Sequence, residues 1–62
     1  MSDVKELLQQ LLDEAEEAKK NVEEVVDKNK KIAVGRARKN LQNLKKLAQD
    51  VRVALQEFKV NM

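Results

Sequence analysis

Cysteine, histidine, proline, tryptophan, tyrosine and threonine are all missing from this chain, and Phe58 and Gly35 are its only aromatic residue and its only glycine. Each absence removes a class of function. Without cysteine or histidine there is no disulfide framework, no thiol chemistry and neither side chain of an ordinary zinc site. Ser2 is the sole hydroxyl residue and has no imidazole to activate it, which argues against a hydrolase or transferase. One phenylalanine cannot build the aromatic platform on which single-stranded nucleic acids stack their bases. No apolar run exceeds three residues, as at Ile32 to Val34, so neither a membrane span nor a signal peptide is expected, and a cytoplasmic location is. No enzyme, cofactor or metal is expected.

Charge is what the chain has in abundance, at 39% of its residues, and with many Ala, Leu, Glu, Lys and Gln it has a helical composition. Its net charge of +2 hides a division along the chain. Residues 1 to 27 hold nine acids against three lysines, whereas residues 28 to 62 hold ten bases against Asp50 and Glu57. From Lys28 to Lys46 there are eight basic residues and no acid.

In the first half, apolar residues fall at Val4, Leu8, Leu11, Ala15, Ala18, Val22 and Val25, spaced alternately by four and three. That spacing is the seam of an amphipathic helix. Asp3, with Glu6 three residues later, resembles a capping box and puts the helix start near Val4. The second half repeats the pattern at Val34, Ala37, Leu41, Leu44, Ala48, Val51, Leu55, Phe58 and Met62. Between the seams the phase breaks at Asn29, Lys30 and Lys31, and asparagine tolerates the left-handed conformation that ends helices, besides serving as an N-cap. Gly35 competes as a break point, but it lies inside the second seam, where one glycine costs about 1 kcal/mol and can be tolerated. The reading is a single domain over residues 1–62, with helix 1 about 3–28, a turn about 29–31 and helix 2 about 32–60.

Helices of these lengths run roughly 38 and 43 Å, and a 62-residue chain buries only about 60% of the surface it exposes unfolded. Leu7, Leu12, Val26 and Leu47 widen each apolar stripe beyond what one partner helix would cover. The fold class expected is therefore all-α, a two-helix antiparallel hairpin dimerising into a four-helix bundle. One continuous helix in a long coiled coil is the structural alternative.

The eight cations Lys28, Lys30, Lys31, Arg36, Arg38, Lys39, Lys45 and Lys46 are the candidate binding residues, because duplex DNA rewards any cluster of fixed cations. Relative to the apolar seam, Lys39 and Lys46 point almost opposite, Lys31, Arg38 and Lys45 line one flank, and Arg36 the other. This is an outward basic ridge, continued by the amide groups at the start of helix 2, which also attract phosphate. The competing reading is that these charges pair with acidic helix 1 or only keep the protein soluble. Within helix 1, Glu16 with Lys20, Glu24 with Lys28 and Asp27 with Lys31 have the spacing of surface ion pairs, each worth roughly 0.2–0.5 kcal/mol. The adjacent carboxylates Glu16-Glu17 and Glu23-Glu24 point about 100° apart on a helix, so they read as a solvated face rather than an acid-base or cation site.

Asn29-Lys30-Lys31-Ile32-Ala33-Val34-Gly35-Arg36-Ala37-Arg38-Lys39, followed by Leu41 and Leu44-Lys45-Lys46-Leu47-Ala48-Gln49-Asp50-Val51-Arg52, resembles the core of the small bacterial histone-like nucleoid proteins named for their likeness to the linker histone. The resemblance implies sequence-independent binding to double-stranded DNA, chromosome compaction and a nucleoid location. Arg36, Arg38 and Lys39 match the family's basic motif. The alternative function is a coiled-coil protein-interaction or assembly module with no nucleic-acid role. In either case a homodimer or higher homo-oligomer is the expected state.

Overall fold

The computed structural model describes residues 3–61, which form α1 (Val4–Lys28) and α2 (Ile32–Asn61). The two helices pack against each other as a hairpin in a rod measuring 49 × 15 × 14 Å, so the chain is not one continuous helix. Asp3, in extended conformation, caps α1 by accepting a hydrogen bond from the Lys5 amide at 2.9 Å. This satisfies one of the amides that the first turn leaves unpaired.

Asn29 ends α1 in the left-handed region, at φ 53° and ψ 36°. Asparagine is among the few residues that adopt this conformation at little cost. The Asn29 amide donates to the Val25 carbonyl at 3.1 Å and the Lys30 amide to that of Glu24 at 3.2 Å, which wraps the chain over the last turn and turns it back. Asn29 therefore acts as a C-terminal cap, and the N-cap role also considered for it is not the one it plays. Gly35 has ordinary helical backbone inside α2, and a Cβ there would meet nothing within 4 Å.

The face each helix turns inward differs from the expected seam. Val4, Leu11, Ala18 and Val25 of α1 and Ala37, Leu44 and Val51 of α2 do face the partner helix. In place of Leu8 and Val22, however, Leu7 and Asn21 face inward, and in place of Val34, Leu41, Ala48 and Leu55 it is Ala33, Asn40, Leu47 and Ala54. Ala15 is half-buried beside Glu14. Both helices are thus rotated so that the residue just before each displaced seam position takes its place. Small or hydrogen-bonded residues take the inward place at Asn21, Ala33, Asn40 and Ala54, and Leu7 and Leu47 come inward with the same turn of each helix. Ala18, Ala33, Ala37 and Ala54 are the buried apolar residues, and their small side chains let the two backbones approach closely. Leu8, Val22, Val34, Leu41 and Leu55 are left exposed on the flank, together with Leu12 and Val26, and Phe58, seven residues past Val51 on the inward row, is exposed as well. Met62, the last position of the expected seam, lies outside the described residues.

Asn40, 6% exposed, is the buried polar residue among those described. Its amide nitrogen donates to Glu14 Oε2, and its carbonyl oxygen accepts from Asn21 Nδ2 at 2.6 Å. Asn43 Nδ2 lies 3.4 Å from the same Glu14 oxygen. These directional bonds cross between the helices and tie α1 to α2 at one register.

Candidate nucleic-acid interface

All eight sequence-predicted cations are exposed, but the fold does not gather them into one ridge. Lys28 closes α1, and Lys30 and Lys31 occupy the connector. The other five are distributed along α2 by its 100° step and fall on two sides once the inward face is known. Arg36 and Lys39 line a groove of about 500 Å³ between the helices, shared with Glu14, Glu17, Asn21, Asn40 and Asn43. Lys46 follows Lys39 by seven residues on that side. Arg38 and Lys45 lie toward the exposed stripe of Val34, Leu41, Ala48 and Leu55, and Lys45 also shares a shallow concavity on the outer surface of α2 with Lys46, Gln42, Gln49 and Asp50.

Because Glu14, Glu17 and Asn21 of α1 share the groove with residues of α2, one long face of the hairpin is polar. The opposite flank of both helices makes up the other long face, and it is mostly apolar: Leu8, Leu12, Ala15, Val22 and Val26 from α1, with Val34, Leu41, Ala48 and Leu55 from α2, and with Lys19, seven residues from both Leu12 and Val26, set into its α1 side. Two cations missing from the sequence-based set belong to its edge. Arg52 and Lys59 continue the line of Arg38 and Lys45 at seven-residue steps, a spacing visible in the sequence. The cluster of Glu14, Asn21, Asn40 and Asn43 was also missed, and its faint signal is that Asn21 and Asn40 each directly precede an apolar seam residue, Val22 and Leu41.

Electrostatically the cations are open. Among the described residues the ion pair within 4.0 Å is that of Lys30 Nζ with Glu24 Oε1, at 3.9 Å. None of the three pairs expected within helix 1 closes. Lys31 is beyond the end of α1, so the helical spacing from Asp27 does not apply, and the chain reversal at Asn29 brings Lys30 to Glu24. Glu14, which lines the polar groove, is engaged by asparagine amides. The start of α2 differs from expectation as well. The Ala33 and Val34 amides donate at 3.1 Å to the carbonyls of Lys30 and Lys31, so these two are not free to hold a phosphate.

A family model described as Histone H1-like protein Hc1 matches residues 5–61, which is nearly the whole described hairpin. The chain belongs to the histone H1-like Hc1 family. This is a histone-like nucleoid protein family, of DNA-binding rather than catalytic character, and the match takes in α1 as well as the basic stretch around the connector. No curated protein and no solved structure matches the chain. No helix among the described residues is long and apolar enough to cross a membrane.

Proposed function

We propose that this Hc1-family chain binds double-stranded DNA without reading its sequence, through phosphate contacts from the connector lysines and the cations of α2. The observation that supports this reading is the open state of those groups. All ten cations from Lys28 to Lys59 are exposed, and among the described residues Lys30 alone has a carboxylate within 4.0 Å. Cations already held by carboxylates would gain little from a phosphate, whereas open ones release the counterions condensed on the duplex. Such contacts position a protein on DNA but do not select a site. The reading includes a homodimer as the working unit, each copy a single domain, acting in the cytoplasmic nucleoid.

A gel-shift titration on random-sequence duplex tests it. If six phosphates are neutralised, the log-log salt slope between about 50 and 300 mM is roughly −5. Arg36, Arg38 and Lys39 replaced together by Glu should abolish binding while circular dichroism shows unchanged helicity. No binding at the lowest salt would overturn the reading. Collapse of the helical signal in the triple variant would assign those residues to the fold. The rival, an assembly module with no DNA role, has the exposed apolar face in its favour, and it predicts self-association with no response to duplex at any salt.

A further inference from the structure

The back of α2, the surface turned away from α1, carries a pattern that neither long face accounts for. Gln42, Gln49 and Gln56 follow one another along it at seven-residue steps. Each lies two residues past an inward one, Asn40, Leu47 or Ala54, a turn of about 200° that carries it to the far side of the helix. All three are exposed, and none has a side-chain hydrogen bond among the described residues. Residues three and four apart are neighbours on a helix surface, so Gln42 sits among Arg38, Lys39, Lys45 and Lys46. Gln49 in turn sits among Lys45, Lys46 and Arg52. A line of neutral amides thus runs between two rows of cations, with Arg38, Lys45 and Arg52 on one side and Lys39 and Lys46 about 100° round on the other. The acids of α2 stay off this line. Asp50 and Glu57 are in step with Arg36 and Asn43 at seven-residue intervals, and half-buried Asp50 closes the edge of the hollow it shares with Lys45, Lys46, Gln42 and Gln49.

We infer that this surface enters the major groove of duplex DNA, with the glutamines toward the base edges and each cation row on the phosphates of one strand. Groove entry rests on the DNA-binding reading given above and goes beyond it by fixing which surface meets the duplex and which groove it meets. A surface that only lay across the backbone would have no use for uncharged residues at its centre. A groove does, because its two walls are negative and its floor presents hydrogen-bonding base edges. An α-helix with its side chains is about 10–12 Å across, which fits the major groove at about 12 Å wide and not the minor groove at about 6 Å. The straddled stretch from Arg38 to Arg52 is about 21 Å long, and the next step beyond Lys46 brings Val53 in place of a cation. Glutamine amides both donate and accept, so each finds a partner at any base pair, and the contact adds affinity without selecting a site.

The back of α1 is opposite in charge. The same two-residue step from its inward Leu11, Asn21 and Val25 reaches Asp13, Glu23 and Asp27, and only from Ala18 does it reach a cation, Lys20. Those carboxylates are held on the other side of a rod about 15 Å across, away from the phosphates that α2 meets.

Anisotropy titrations of the whole chain at about 100 mM salt test groove entry on three duplexes of one sequence. The first is plain DNA, and the second is DNA whose cytosines carry glucosylated hydroxymethyl groups, which fill the major groove without changing the charge. The third is RNA, whose major groove is too deep and narrow for side chains to read. Plain DNA should bind at least about tenfold tighter than either of the others. Equal binding to plain DNA and to either of the others would overturn groove entry and leave the phosphate-binding reading standing, whereas no binding to plain DNA at any salt would bring down both. Gln49→Glu, at an exposed site, should weaken binding to plain DNA about tenfold, while Gln10→Glu, seven residues before Glu17 on the polar side of α1, should change it less than about twofold. No loss at Gln49, or a loss at Gln10 as large, would overturn the choice of surface.

Discussion

The two long faces of the hairpin are made by the same two helices with the same seven-residue rhythm, yet they contribute different things. On the polar face, Glu14, Asn21, Asn40 and Asn43 are joined by hydrogen bonds that form at one register of α1 against α2. On the apolar face, Leu8, Val22, Val34, Leu41 and Leu55 offer area and no direction. Burial of apolar surface drives association without choosing an alignment, whereas a buried amide is costly wherever its partners are missing. The hairpin thus aligns itself with its polar side and keeps its adhesive side for something else.

The largest expected effect separates the two faces by charge. Arg36, Lys39 and Lys46 all replaced by Glu should lower affinity for duplex at low salt by at least about 100-fold and flatten the salt slope by about 2.7, since each lost phosphate contact removes about 0.9. Light scattering should show self-association intact, because these residues are on the polar side. Equal loss of both properties would erase the distinction between the faces.

Asn40→Ala tests the polar layer itself. Removing a buried amide that both donates to Glu14 and accepts from Asn21 should cost about 1–3 kcal/mol in denaturant unfolding. A cost below about 0.5 kcal/mol would show that the alanine contacts alone set the register. Asn40→Leu should be close to neutral in stability but should broaden the amide resonances of α1, as apolar contact permits neighbouring alignments.

Two backbone changes follow in size. Asn29→Val forces a β-branched residue into the left-handed conformation and should destabilise the hairpin by about 1–2 kcal/mol, while Asn29→Gly should be nearly neutral. Gly35→Ala should stabilise by about 1 kcal/mol, because the added methyl meets open space in a helix interior. Its DNA affinity should be unchanged, and a loss there would mean that phosphate approaches bare backbone beside Arg36.

Much of this was legible in the residues. The four-three spacing marked two helices, and Asn29 with Lys30 and Lys31 marked the break in phase between them. The family was legible from the string around Arg36, Arg38 and Lys39, although the match extends over α1 as well. The part-turn of each helix, which displaced some seam residues and kept others inward, was not legible. Leu8 and Leu7, or Leu41 and Asn40, are rival neighbours at the edge of one stripe, and the choice between them depends on what the other helix brings to meet them, as Glu14 and Asn21 meet Asn40. The ion pairs were misread for a related reason. Helical spacing describes the interior of a helix, and the chain reversal at Asn29 carried Lys30 to Glu24 instead.

By itself the sequence determined that the chain is helical, that it turns near Asn29 and that its cations are concentrated in the second half, because periodicity, left-handed tolerance and charge are properties of residues taken in order. Which flank of each helix lies inside, and hence that the cations divide between a polar face and the edge of an apolar one, was decided only by the tertiary structure. The physical reason is that a helix presents overlapping candidate faces at nearly equal local cost, and the choice among them depends on what the other helix brings to meet it.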